Sequence, residues 1–181
     1  TEINMLATPG ITTAAVSGNG IDYVEARADC MALCSCPLAV ESPLETQDYR
    51  KYELNRDSSY AALYYPWLVI VDPVTGKNIE CDPVGHIMGI YARVSRERGV
   101  FKAPANEEIR DAVGVIYNVT DAEQDILNPE GVNAIRNFPG EGVRVYGGRT
   151  LSSTYKDGRH YVHVRRTLLW IEESIAEGSR W

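Results

Sequence analysis

The chain predicts an α/β fold, a layered sheet covered by helices. Short apolar runs of strand length alternate with stretches that open on helix-capping residues. One run, Trp67-Leu-Val-Ile-Val71, is apolar throughout, as expected of a strand covered on both faces, and is placed at the centre of the sheet. Helix starts fall between the runs, at Ser42-Pro43, Asp82-Pro83 and Thr120.

In chain order, Asn4 to Ala7 reads as a short strand that ends in the turn Pro9-Gly10. Thr12 or Thr13 caps a helix reaching Ala28, weakened by Gly18 and Gly20. The run from Cys30 to Cys36 is a second strand, closed by Pro37. Ser42, Pro43 and Glu45 form a capping box with proline at the first helical position, opening a polar surface helix over about Leu44 to Asn55. Asp72-Pro-Val-Thr-Gly76 is turn chemistry, returning the chain as an antiparallel strand at Asn78 to Cys81.

Asp82 caps the next helix, which buries Ile87, Ile90, Tyr91 and Val94 on one face, turns Arg93, Arg96 and Arg98 away from it, and stops at Gly99. A loop from Lys102 to Asn106 precedes a strand at Val113 to Tyr117, and Thr120 with Glu123 boxes a helix that Asn128-Pro129 ends. Val132 to Ile135 and Val143 to Tyr146 are strands joined through Phe138-Pro-Gly140. A final helix, about Val164 to Glu177, aligns Val164, Leu168, Ile171 and Ile175 and ends at Gly178, three residues before Trp181. That exposed stripe and aromatic end suggest a helix belonging to a larger fold.

Composition narrows the function classes. With 181 residues, 44% hydrophobic and 24% charged, the chain has the make-up of a water-soluble globular protein large enough for an ordinary core. A net charge of -7 argues against a nucleic-acid partner, which calls for clustered cations. No apolar run approaches membrane-spanning length, so no membrane insertion is expected. Cys30, Cys34, Cys36 and Cys81 have neither metal-site nor disulfide spacing and read as buried apolar residues.

No convincing catalytic, cofactor or metal constellation stands out. Asp22, Asp29 or Asp48 with His86 and Ser153 make a triad only on paper, and the histidines, His86, His160 and His163, read as structural. Asp121, Glu123 and Asp125 suit a metal hydrolase less well than the dipole of a helix first turn. Gly18-Asn-Gly20 and Gly147-Gly148 lack the spacing of a nucleotide-binding turn. Tyr64, Tyr65 and Trp67 read as core anchors, and Arg93, Arg96, Arg98 and Arg149 as either solvated groups or breakable ion-pair partners.

Several stretches in one order resemble the contractile tail sheath family: Ser58 to Trp67, Gly85 to Arg93, Arg96 to Gly99 and Ala103 to Asn106. Leu127 to Gly131, Gly142 to Thr150, Val164 to Arg166 and Ile171 to Glu173 continue the series. The resemblance implies a subtilisin-like core without protease chemistry over residues 1–160, followed at 161–181 by the first helix of a C-terminal domain. It implies a structural subunit in hexameric rings stacked helically around a tail tube, released by a baseplate, with no cofactor. It also implies a place in the virion tail after assembly in host cytoplasm. A bacteriocin or extracellular injection particle is the alternative machine. The strand-exchanging arms of the family are not matched, so the chain by itself is expected to be monomeric.

Overall fold

The computed structural model describes residues 4–180; Trp181 lies outside them. Strand β1 (Met5–Ala7), helix α1 (Ala14–Arg27) and strand β2 (Met31–Ser35) form the first crossover, with β1 and β2 parallel. Helix α2 (Pro43–Asp48) continues into π-helical turns over Tyr49–Leu54 and leads to β3 (Ala61–Tyr65), parallel to β2. Next come β4 (Leu68–Val71), β5 (Asn78–Cys81), α3 (Val84–Arg98), β6 (Glu107–Glu108) and β7 (Ala112–Val115). The chain closes with α4 (Asp121–Leu127), β8 (Val132–Phe138), β9 (Gly142–Tyr146) and α5 (Val162–Gly178).

The main sheet has six strands in the order β1-β2-β3-β8-β9-β6, parallel from β1 to β8 and antiparallel beyond. Its middle strands are buried on both faces, and the alternation of their side chains divides the core in two. Ala32, Cys34, Ala61, Leu63, Tyr65, Val132 and Ala134 pack on one side with Ile21 and Val24 of α1 and Leu127 of α4. Met31, Leu33, Ala62, Tyr64 and Ile135 pack on the other with Ile87, Ile90, Tyr91 and Val94 of α3. This is the expected layered α/β arrangement.

The centre of the sheet is not where the apolar run put it. Trp67 to Val71 contributes β4 to a separate three-stranded antiparallel sheet, β5-β4-β7, in which Val71 is exposed; the central strand is β3. β4 covers the core with one face only, through Leu68 and Ile70, so its apolar outer positions reflect strand propensity more than double burial.

The helix after Ser42 also differs from expectation. Ser42 Oγ accepts from the Glu45 amide at 3.3 Å, but the Glu45 carboxylate takes the Glu41 amide instead of the Ser42 one, so only half a capping box forms. The segment does not simply ride on the surface, because Tyr49 and Leu54 are buried in the core. Its wider π turns bring these two residues, five apart, to the same side. At Thr120 the box is complete, and α3 opens on Asp82, whose Oδ1 accepts from the Val84 amide at 3.0 Å.

The segment after β9 is held by the fully buried Asn133. Its Nδ2 donates to the Leu63 and Arg149 carbonyls and its Oδ1 accepts from the Arg149 amide. A side chain at Gly147 would put its Cβ 2.8 Å from Asn133 Cα, so only glycine lets the strands approach this closely.

Candidate assembly surfaces

Most of the residues weighed for an active site are already engaged with other partners. Asp22 pairs with Arg56 at 2.9 Å, Asp29 with Arg27 at 2.6 Å, and Asp48 is exposed at the end of α2. Ser153 donates through its amide and hydroxyl to Asp57, and His86 sits in the first turns of α3. Glu123 is consumed by its capping box and the Tyr117 hydroxyl, Asp121 pairs with Arg136 at 2.6 Å, and Asp125 is exposed. Among the described residues, no group of three or more His, Cys, Asp or Glu side chains is placed to hold a metal. Gly18 and Gly20 lie inside α1, away from any strand-to-helix turn, and Gly147 serves Asn133.

Cys30, Cys34 and Cys36 are buried free thiols. Burial pushes Cys30 up to about 11 and Cys34 up to about 12, which leaves them protonated and poorly nucleophilic. A cleft of about 540 Å³ opens beside Trp67, Cys81 and His86. Of the two carboxylates in its wall, Glu80 and Asp82, the latter is already occupied by the amides of Gly10 (2.7 Å) and Val84 (3.0 Å), so it holds the cleft's own loops together.

What the molecule does present is a helix rooted in the core by two arginines. Arg165 is buried, donates to Ser59 Oγ at 2.5 and 3.1 Å, and lies 4.0 Å from the centre of the Tyr60 ring. Arg166 donates to Ser95 Oγ at 2.7 Å and lies 4.7 Å over the Tyr91 ring, whose hydroxyl meets that of Tyr64 at 2.7 Å. Burial lowers the pKa of Arg166, offset in part by the two tyrosines. Past this root α5 loses its cover, leaving Trp170 54%, Ile171 40% and Ile175 65% exposed. The predicted stripe is present, but only its beginning is packed.

The arginines singled out from the sequence have different fates. Arg93 donates to the Glu108 carbonyl at 2.8 Å and lies 3.5 Å from Glu107; Arg149 stacks over Tyr155 and Tyr161. Both are local struts. Arg96 is 81% exposed, with only its neighbour Glu97, at 3.8 Å, as an acidic partner among the described residues. Tyr64 and Tyr65 are buried as expected and Trp67 is partly buried, its Nε1 donating to the Cys36 carbonyl at 2.8 Å. Sequence reasoning missed Ser59, Tyr60 and Asn133; the adjacent pair Arg165-Arg166 opening an otherwise amphipathic helix was the available signal.

Residues 1–151 match the model of the phage tail sheath protein central domain. The tail sheath protein of Burkholderia phage BcepMu is 28% identical over 129 residues, 67% of this chain and 27% of that protein. Among solved structures, the sheath complex of an extracellular contractile injection system (PVC) in its contracted state superposes with a TM-score of 0.82 at 29% identity, over 98% of this chain and 47% of the other. The anti-feeding prophage (AFP) baseplate gives 0.79 at 29% identity, over 98% and 46%. The chain spans about a quarter of the length of the curated relatives it matches and under half of these solved chains.

Proposed function

Because the chain belongs to the phage tail sheath protein family, we propose that it is the core of a subunit of a contractile sheath. In this reading, hexameric rings of subunits stack helically around a tail tube, and a baseplate signal lets them rearrange and drive the tube through a cell envelope. The observation that carries it is the family match over residues 1–151 combined with a backbone that follows a contracted sheath at a TM-score of 0.82.

The physics suits a rigid brick. The middle strands are buried on both faces, and α5 is pinned by Arg165 and Arg166, so contraction exchanges contacts between copies and leaves each core unchanged. No bond is made or broken, and no nucleotide, metal or other cofactor is needed. Residues 1–160 form the core domain and 161–181 the first helix of a further domain, which accounts for the bare end of α5. Alone, the chain is monomeric, with a radius of gyration of about 16 Å. The subunit is assembled in the cytoplasm of a bacterial host and works in the virion tail.

Electron microscopy of the full-length protein expressed alone tests the reading. Tubular polymers are expected; their absence under all solution conditions, or turnover of a substrate by the protein, overturns it. A sheath from an injection particle is the second reading, favoured by the 29% identity to the PVC and AFP assemblies. Capsid and portal genes beside this one would select the phage.

A further inference from the structure

We infer that within assemblies of the full-length protein copies of this domain dock head to tail, with an acidic knob on α2 of one copy entering a basic groove on α3 of the next, a contact that does not by itself join the isolated chain into oligomers. The inference rests on the sheath reading and names two surfaces that such an assembly would use.

The groove has a volume of about 270 Å³, and its walls carry His86, Arg93, Arg96 and Arg110 around Gly89 and Ile90, with Asp111 as the one carboxylate among three guanidinium groups. It runs along the outward face of α3, opposite the buried Ile87, Tyr91 and Val94. Gly85 and Gly89, one turn apart on that face, have open space where a side chain would stand, so a partner backbone can come close. Arg93 is tied to Glu107, which sets it as a fixed wall. Arg96 and Arg110 are exposed, and Arg110 has no acidic partner within 4.0 Å among the described residues. In a chain with 25 acidic and 18 basic residues, this is a surface of inverted sign.

The knob has the opposite character. Leu44, Asp48 and Tyr52, at intervals of four, are all exposed, Leu44 by 63% and Tyr52 by 78%. Asp48 has no cationic partner among the described residues. The base beneath is stiff: Tyr49 and Leu54 are buried, and Arg50 donates to the carbonyls of Glu130 (3.1 Å) and Leu151 (2.8 Å). An exposed tyrosine beside an unpaired carboxylate on an immobile support is how a docking element looks before its partner arrives. A helix laid into a groove supplies the geometry, and the charges supply the register.

Position decides that the contact joins copies into a series. α2 packs against one face of the main sheet and α3 against the other, so knob and groove point away from each other. Two different patches on opposite sides of one molecule make a heterologous contact, which propagates in an open array where a self-complementary patch would close into a pair.

The test uses the full-length protein, pelleting and electron microscopy. Arg96→Glu with Arg110→Glu, and separately Asp48→Arg, are expected to lower the sedimenting fraction at least about tenfold, since like charges then meet. Thermal melts unchanged from the parent show that these exposed substitutions leave the fold intact. Joining all three restores the opposed signs and is expected to return most of the polymer. Tubes from the arginine variant at the parent yield, or failure of the combined exchange to rescue, overturns the contact and leaves the sheath reading standing. A parent protein that never polymerises overturns both.

Discussion

The hydroxyls of Tyr64 and Tyr91 illustrate how much a single buried atom can matter. They face each other at 2.7 Å across the contact between β3 and α3, both rings buried. Removing either one strands the other, so Tyr64→Phe and Tyr91→Phe should each cost about 1–3 kcal/mol in urea unfolding, whereas the double substitution should lie close to the parent. The coupling read from that cycle measures the pair itself. A second residue-scale prediction concerns His160 and His163, whose Nδ1 atoms are buried without partners among the described residues. Burial lowers both pKa values, helped by Arg149 for His160 and Lys102 for His163, and Asp157 opposes the shift at His160. The unfolded chain takes up these protons near pH 6.5 and the folded chain only lower, so stability is lost as pH falls through that region. Melting temperature should therefore drop on acidification below about pH 6.5, and less steeply in His160→Gln/His163→Gln.

At the scale of elements, α5 is the least self-sufficient part. Its root depends on Arg165, so Arg165→Ala should raise amide exchange across Val162–Gly178 while β2, β3 and β8 stay protected. Loss of protection throughout would show instead that the helix is integral to the core. Elements with strong local signals were legible in the sequence: the Thr120 box, the four-residue burial pattern of α3, and the β8-β9 hairpin around Pro139-Gly140 all hold. Those fixed by distant partners were not. Ala61 to Tyr65 and Leu68 to Val71 are both short runs without a charged residue, the second the more aliphatic, and only pairing with β2 and β8 makes the first central, while β5 and β7 draw the second into the small sheet. The burial of Tyr49 and Leu54 depends on a π turn that no local spacing announces.

For the whole molecule, function was legible as a class and hidden in its surfaces. Two of the stretches resembling the sheath family turn out to be held by internal fittings: Asn133 clamps the Gly147 to Thr150 segment, and Lys102 folds back onto the carbonyls of Ala103 and Ala105 and onto Glu107. Such motifs identify a fold well and say little about its partners. Tyr52 and Arg110 carry no local signal, because what distinguishes them is exposure without a partner among the described residues, a property only the folded chain has. Polymer yield should fall with added salt over the range where the Debye length shrinks from about 10 to 3 Å, since the groove and knob charges are exposed.

The four parallel strands lie side by side, β1 through β8, with the two helix layers gripping opposite sides. A tug delivered to one layer and resisted at the other therefore crosses the sheet and loads both packed cores together, instead of peeling strands singly. Pulled between α2 and α3 in an optical trap, the block should yield as one abrupt event at high force, as suits a component that must transmit a stroke without absorbing it.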